Sequence, residues 1–183
     1  INNVIQFVTI ATTGNASDFG DVSTSISRAS ATGSSTRMLI AGGSTPTVVN
    51  TIQFVTIPTT GNTTDFGDLS AARMAMGRAS NGVRGVFAGG YTPSLVNIIE
   101  FVTIATTGNT TDFGDFSTAK SSMGSANNSI IGIFQGGATP SRSTTIQSIT
   151  IATTGDAVEY GDCNITDPLF GREGCSDSHG GLS

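Results

Sequence analysis

Acidic pairs recur at fixed spacing along this 183-residue chain: Asp18 and Asp21, Asp65 and Asp68, Asp112 and Asp115, Glu159 and Asp162. Carboxylates held this close can supply several oxygens to a hard cation such as Ca²⁺. Aspartates beside glycine also cap turns, by accepting hydrogen bonds from nearby backbone N–H groups. The pair stands in every copy of a repeated segment, as a structural requirement would, so turn capping is the preferred reading and no metal is assigned. The Asp-Phe-Gly triplets lack every surrounding kinase signature. Glu100, Glu159 and Glu173 break the repetition, but no partner acid accompanies them to make a hydrolytic pair. His179 is the single histidine, and no Ser, His and Asp spacing marks a nucleophile elbow. The double glycines end a strand pattern and open no helix, so they do not form a phosphate loop. The residues therefore point away from an enzyme, and no cofactor is expected.

Two further residue types could carry covalent chemistry. Cys163 and Cys175 fit a disulfide staple near the end of the chain, a pair of free thiols, or half a metal site. Asn15, Asn62, Asn109, Asn127 and Asn164 each begin an N-x-[ST] sequon. In a secreted eukaryotic protein these would be glycan sites; in a protein made in bacteria they are turn residues.

The elements that position these groups follow from a repeat of 47 residues. Units start at Ile5, Ile52, Ile99 and Ile146, with no insertion or deletion between them. The second unit opens IQFVTIPTTGNTTDFGD. Its residues 52–57 are β-branched and aromatic and read as a strand, apolar on both faces as in a sheet covered on both sides. Thr59, Thr60, Gly61 and Asn62 are turn chemistry. Residues 65–69 read as a short outer strand, 73–80 as a weak third, and 84–88 as a clear strand stopped by Gly89 and Gly90. No stretch shows helical apolar spacing.

Four short strands per repeat of this length is the pattern of a β-propeller blade, so the expected fold is an all-β propeller of about four blades in one repeat domain, 1–183. A β-solenoid is the rival, although its coils usually run shorter. The N-terminal strands are expected to complete the last blade by pairing with C-terminal ones, which hides edge strands. The chain begins in mid-pattern at Ile1, which predicts a longer parent polypeptide.

Only 11% of residues are charged, against about a quarter in ordinary globular domains. The net charge is −5 with 8 Lys and Arg, which gives no footprint for nucleic acid. No apolar run approaches the roughly 20 residues of a membrane helix.

The unit resembles the kelch repeat. Gly42-Gly43, Gly89-Gly90 and Gly136-Gly137 close an apolar strand as the kelch double glycine does. Arg73 and Lys120 fall where kelch carries a basic residue. The kelch Tyr survives only as Tyr91, and Phe19, Phe66, Phe113 and Tyr160 stand in for its Trp. The phrase F-V-T-I-A-T-T-G-N-x-x-D-F-G-D is similar to uncharacterised repeat proteins of marine and cyanobacterial bacteriophages, and the ending CSDSHGGL is similar to theirs. That resemblance implies a virion component (fibre, tail or head decoration) at the particle surface or outside the cell. Its partners would be other virion proteins or host-surface glycans; a homo-oligomer is open.

Residues that recur serve the fold, and residues that differ serve what one blade does alone. Phe19, Phe66 and Phe113 at the Trp place are read as wedges between blades rather than a sugar-stacking ring. The least repetitive stretches are 22–36, 69–83 and 116–130, then 44–49, 91–96 and 138–143. The last three share Thr-Pro, which predicts similar stiff backbones with variable tips. Tyr91, Arg142 and Arg37 are the candidate contact residues. The expected function is structural or adhesive: a stiff scaffold presenting loops to a host surface or a virion neighbour. A secreted carbohydrate-binding propeller is the alternative.

Overall fold

The computed structural model describes residues 2–164, and every regular element among them is a β-strand. Strands β1 (Val4–Phe7) and β2 (Ser17–Asp21) form a two-stranded sheet. The first four-stranded sheet comprises β3 (Ser30–Gly33), β4 (Arg37–Ala41), β7 (Thr51–Thr56) and β8 (Thr64–Asp68). A small hairpin, β5 (Ser44–Thr45) with β6 (Thr47–Val48), interrupts it. The second sheet holds β9 (Gly77–Ser80), β10 (Arg84–Ala88), β11 (Ile98–Thr103) and β12 (Thr111–Asp115). The third holds β13 (Gly124–Asn127), β14 (Ile131–Gln135), β15 (Thr145–Thr150) and β16 (Val158–Asp162). Each is an antiparallel meander whose first two strands come from one sequence unit and last two from the next.

Strands apolar on both faces follow from face-to-face stacking of the sheets. The first sheet turns Leu39, Ala41, Ile52 and Phe66 toward Met76, Phe87, Val102 and Ile104 in and beside the second sheet. The second turns Val86, Ala88, Ile99 and Phe113 toward Met123, Phe134, Ile149 and Ile151. Successive residues Val86 and Phe87 thus enter different cores, as strand alternation requires. Innermost strands β3, β9 and β13 touch in chain order. The described residues form a row of sheets and no closed ring.

The outer strand carries a β-bulge. Ile52 faces Gly67 and Gln53 faces Asp65, so Phe66 has no opposite residue. The same shift recurs in the sheets ending in β2, β12 and β16. A bulge re-aims the extra side chain. Here it swings Phe66 and Phe113 into the two cores, edge-on to Phe54 and Phe101 at 6.0 Å between ring centroids. Phe19 is half-buried against Phe7, and Tyr160 is exposed.

The bulge glycine is required by the next repeat. At Gly67, φ is +146° and an added Cβ would meet the Gly108 carbonyl oxygen at 2.4 Å. That close approach lets the following Thr-Thr-Gly-Asn loop clasp the bulge. Gly108 N–H donates to the Phe66 carbonyl at 2.7 Å and Thr110 N–H to the Asp68 carbonyl at 2.9 Å. Asp68 N–H donates to Asn109 Oδ1 at 3.0 Å. The same three bonds join residues 19–21 to 61–63 and 113–115 to 155–157. The outer strand expected at 65–69 is therefore present as the bulged strand Thr64–Asp68, gripped through its main chain by the next repeat's loop, and the turn capping expected of its carboxylates is not among the bonds that hold it.

The third strand also differs from expectation: 73–76 is loop, and β9 begins at Gly77. Arg28, Ala75 and Ser122, at one repeat position, take left-handed φ of 55°, 54° and 54°. They form a bonded series, with Ala75 N–H on the Arg28 carbonyl and Ser122 N–H on the Ala75 carbonyl, each 2.9 Å. No described helix is long and apolar enough to cross a membrane.

Candidate functional site

The double glycines organise the end of the row where the chain varies. Gly89 and Gly90 have φ of +61° and +112°, and an added Cβ on Gly89 would lie 2.4 Å from the Lys120 carbonyl oxygen. Gly90 N–H donates to that carbonyl at 2.9 Å, and Gly43 N–H to the Arg73 carbonyl at 2.8 Å. Gly42-Gly43 and Gly89-Gly90 thus dock on the residues holding the basic position of the next unit, Arg73 and Lys120, whose side chains enter the interior. Arg73 and Lys120 are 0% and 2% exposed.

These two cations have different surroundings. Arg73 donates through Nη1 to the Gly89 and Ile98 carbonyls at 3.0 Å each, and through Nη2 to Glu100 Oε2. Arg73 Nε has no partner. Glu100 is buried on β11 and accepts a further bond from Ser70 N–H at 3.3 Å. Burial lowers the Arg73 pKa and Glu100 opposes the shift, but a guanidinium keeps its proton in proteins. One repeat later the acid is replaced by Gln147, which is buried and donates through Nε2 to Ser117 Oγ at 2.7 Å. Lys120, the chain's single lysine, has no carboxylate or hydrogen-bond partner for its ammonium among the described residues. Its Nζ lies 4.4 Å from the centre of the Phe116 ring. Burial pushes its pKa from 10.5 down to about 8.

Lys120 opens into a cleft of about 260 Å³. Ser117, Thr118 and Gln147 line it on one side, and Thr139 and residues 141–145, including Arg142, on the other. The Thr-Pro tip that carries Arg142 is held by an Ala138–Arg142 bridge, the same pairing as Tyr91–Leu95 and Ser44–Val48. The three tips therefore share one backbone arrangement. A second cleft, about 350 Å³, is bounded by Tyr91, Arg28, Met74, Ala75, Ser121 and Ser122. Tyr91 is 39% exposed there, its main chain bonded in both directions to Met74.

The structure does not bring Tyr91, Arg142 and Arg37 together. The first two line separate clefts. Arg37 is half-buried at the start of β4 and its Nη1 donates to the Ile104 and Ala105 carbonyls at 3.0 and 2.8 Å. Its guanidinium covers the Phe54 ring at 4.7 Å. Arg84, one repeat later, makes the same reach to Ile151 and covers Phe101. Arg37 is thus a strut between sheets rather than a loop-tip group.

The acidic pairs gather no site, and among the described residues no group of His, Cys, Asp and Glu could hold a metal ion. Asn62 and Asn109 serve as the acceptors in the bulge clasp. Asn127 spends its Nδ2 on the Ser80 carbonyl at 2.6 Å. Cys163 is half-buried after β16; Cys175, the other half of the expected staple, and His179 and Glu173 lie outside the described residues. Sequence reasoning missed the Gln53, Glu100 and Gln147 series. The available signal was an acid in one copy, and an amide in the next, each 27 residues after a basic residue. No protein-family model matches the chain, and no curated protein matches it in sequence.

Proposed function

We propose that this chain is a non-catalytic display scaffold, a kelch-like β-propeller carried on a bacteriophage particle, presenting variable loops to a host surface or a neighbouring virion protein. The observation that carries the reading is the division of labour between residue classes. Recurrent positions bury and bond one sheet to the next: Phe66 and Phe113, the bulge glycines, and the double glycines. Most positions lining the two clefts differ between units, Ser117 and Thr139 excepted, as do the tip residues Tyr91 and Arg142. Loops at the end of a rigid stack are where binding residues concentrate.

Stacked four-stranded meanders in chain order, with innermost strands in contact, support the propeller reading. In it, further strands pair with β1–β2 and the row closes. The particle location rests on the resemblance of the repeated phrase to phage proteins. Gold-labelled antibody against the chain, imaged on particles from the source sample, tests it. Label at tail tips or fibre ends is the expected result. Label over heads or shafts makes the chain a decoration. Absence of label on any particle overturns the virion reading and favours a secreted carbohydrate-binding protein.

A further inference from the structure

The two buried cations form an internal comparison. At Arg73 the fold places a carboxylate, Glu100, against the cation and leaves no room for anything else. At Lys120 the same repeat position lacks the acid, because Gln147 stands where Glu100 does, and a cleft of about 260 Å³ adjoins the lysine and this glutamine. Lysine keeps the cation's charge with less bulk, and glutamine keeps the acid's bulk without its charge, so the cation–carboxylate pair of the preceding copy is not completed here. A buried ammonium is costly unless paired, and among the described residues the face of Phe116 and the cleft are what it meets.

We propose that this cleft binds the carboxylate of an acidic sugar, with Lys120 as its charge partner and the hydroxyl-rich walls as partners for the ring. The internal template is a carboxylate rather than a phosphate, since Glu100 fills the equivalent place. Among the described residues no acidic side chain lines the cleft. Ser117, Thr118, Thr139, Ser141, Ser143 and Thr144 line it. Hydroxyls both donate and accept, which matches the hydroxyls of a sugar. Sites for drug-sized ligands run from roughly 300 to 1,000 Å³, so this cleft takes a single ring. The proposal deepens the display reading by naming a ligand class, and rests on it only for where such a sugar would be met.

The test is calorimetric titration of the full purified chain with sodium glucuronate, glucose, sodium acetate and sodium sulfate at pH 7. Glucuronate should bind measurably, glucose should not, and acetate and sulfate should bind at least about tenfold more weakly. Lys120→Met should weaken glucuronate at least about tenfold. Gln147→Glu should do the same while raising the melting temperature, because it supplies the missing carboxylate from within; this variant guards against loss through misfolding. Near pH 8.5, binding should be accompanied by proton uptake, read from the dependence of the heat on the buffer's ionisation enthalpy. Absence of glucuronate binding, or binding that survives Gln147→Glu, overturns the proposal. Equal affinity for glucose, acetate or sulfate overturns it too. The titration needs no particle, so its failure leaves the gold-labelling result standing, and the reverse holds.

Discussion

At the scale of single residues, Lys120 makes a prediction of its own. Its folded pKa, about 8, lies below the ordinary 10.5 because burial disfavours the charged form. Between those values the unfolded chain binds more protons than the folded one, so stability rises with pH across that window. Below pH 8 the full cost of holding a buried ammonium is present. Denaturant unfolding at pH 7.5 and pH 10 should show a gain on the order of 2 kcal/mol at the higher pH, and Lys120→Met should abolish that gain. The single lysine makes the titration directly visible by NMR of lysine-labelled protein. This residue also shows where sequence reading stops. Its basic character was legible at once, and so was that of Arg73. Which cation is neutralised from within depends on β11 and β15 of the following unit, and no local pattern around 73 or 120 announces it.

At the scale of elements, the strand at 84–88 was legible to the residue, because β-branching and the double glycine bound it on both sides. The strand at 52–57 was displaced by one position. The stretch 73–80 was read as one strand because its residues show no turn signal. In the structure Arg73 is drawn inward by the carbonyls of Gly89 and Ile98, Met74 makes an isolated bridge to Tyr91, and the strand proper is Gly77–Ser80. The bulge was invisible for a similar reason. The outer strand at 65–69 was legible, but the bulge within it is held by the next unit's loop, which no local pattern announces. The bulge carries a sharp expectation. Gly67→Ala drives a Cβ against backbone at Gly108, which cannot move aside as a side chain can. It should destabilise by at least about 2 kcal/mol. Gly14→Ala, with nothing within 4 Å of the added carbon, should change stability by less than about 0.5 kcal/mol. Paired thermal melts of the two variants check this.

At the scale of the whole molecule, the 47-residue period was plain in the sequence, but the sheets do not follow its phase. Each sheet takes two strands from one unit and two from the next, so the structural module is offset from the written one. The offset is testable by trimming. Removal of residues 1–29 deletes the two-stranded β1–β2 sheet and leaves three complete sheets. Its melting should stay close to that of the parent. Removal of residues 1–50 splits the first four-stranded sheet and uncovers Phe87, Val102 and Ile104 by taking away Leu39 and Ala41. That chain should melt at a distinctly lower temperature and bind an apolar dye. Stability in stacked repeats is carried by nearest-neighbour interfaces, so the loss should be concentrated next to the cut.

The clasp at the bulge and the docking of the double glycines have a genetic consequence. The same backbone bonds join each unit to the next wherever they recur, so every junction is interchangeable with every other. A stretch of one period copied in or out by recombination between the repeated coding segments would meet matching main-chain partners on both sides. The Arg73–Glu100 pair spans a junction, so its two halves would have to be copied together. The number of units can therefore drift quickly while each junction stays intact. A newly copied unit would bring its own tip and its own occupant of the basic position, which gives variation in binding a route that does not pass through an unstable intermediate.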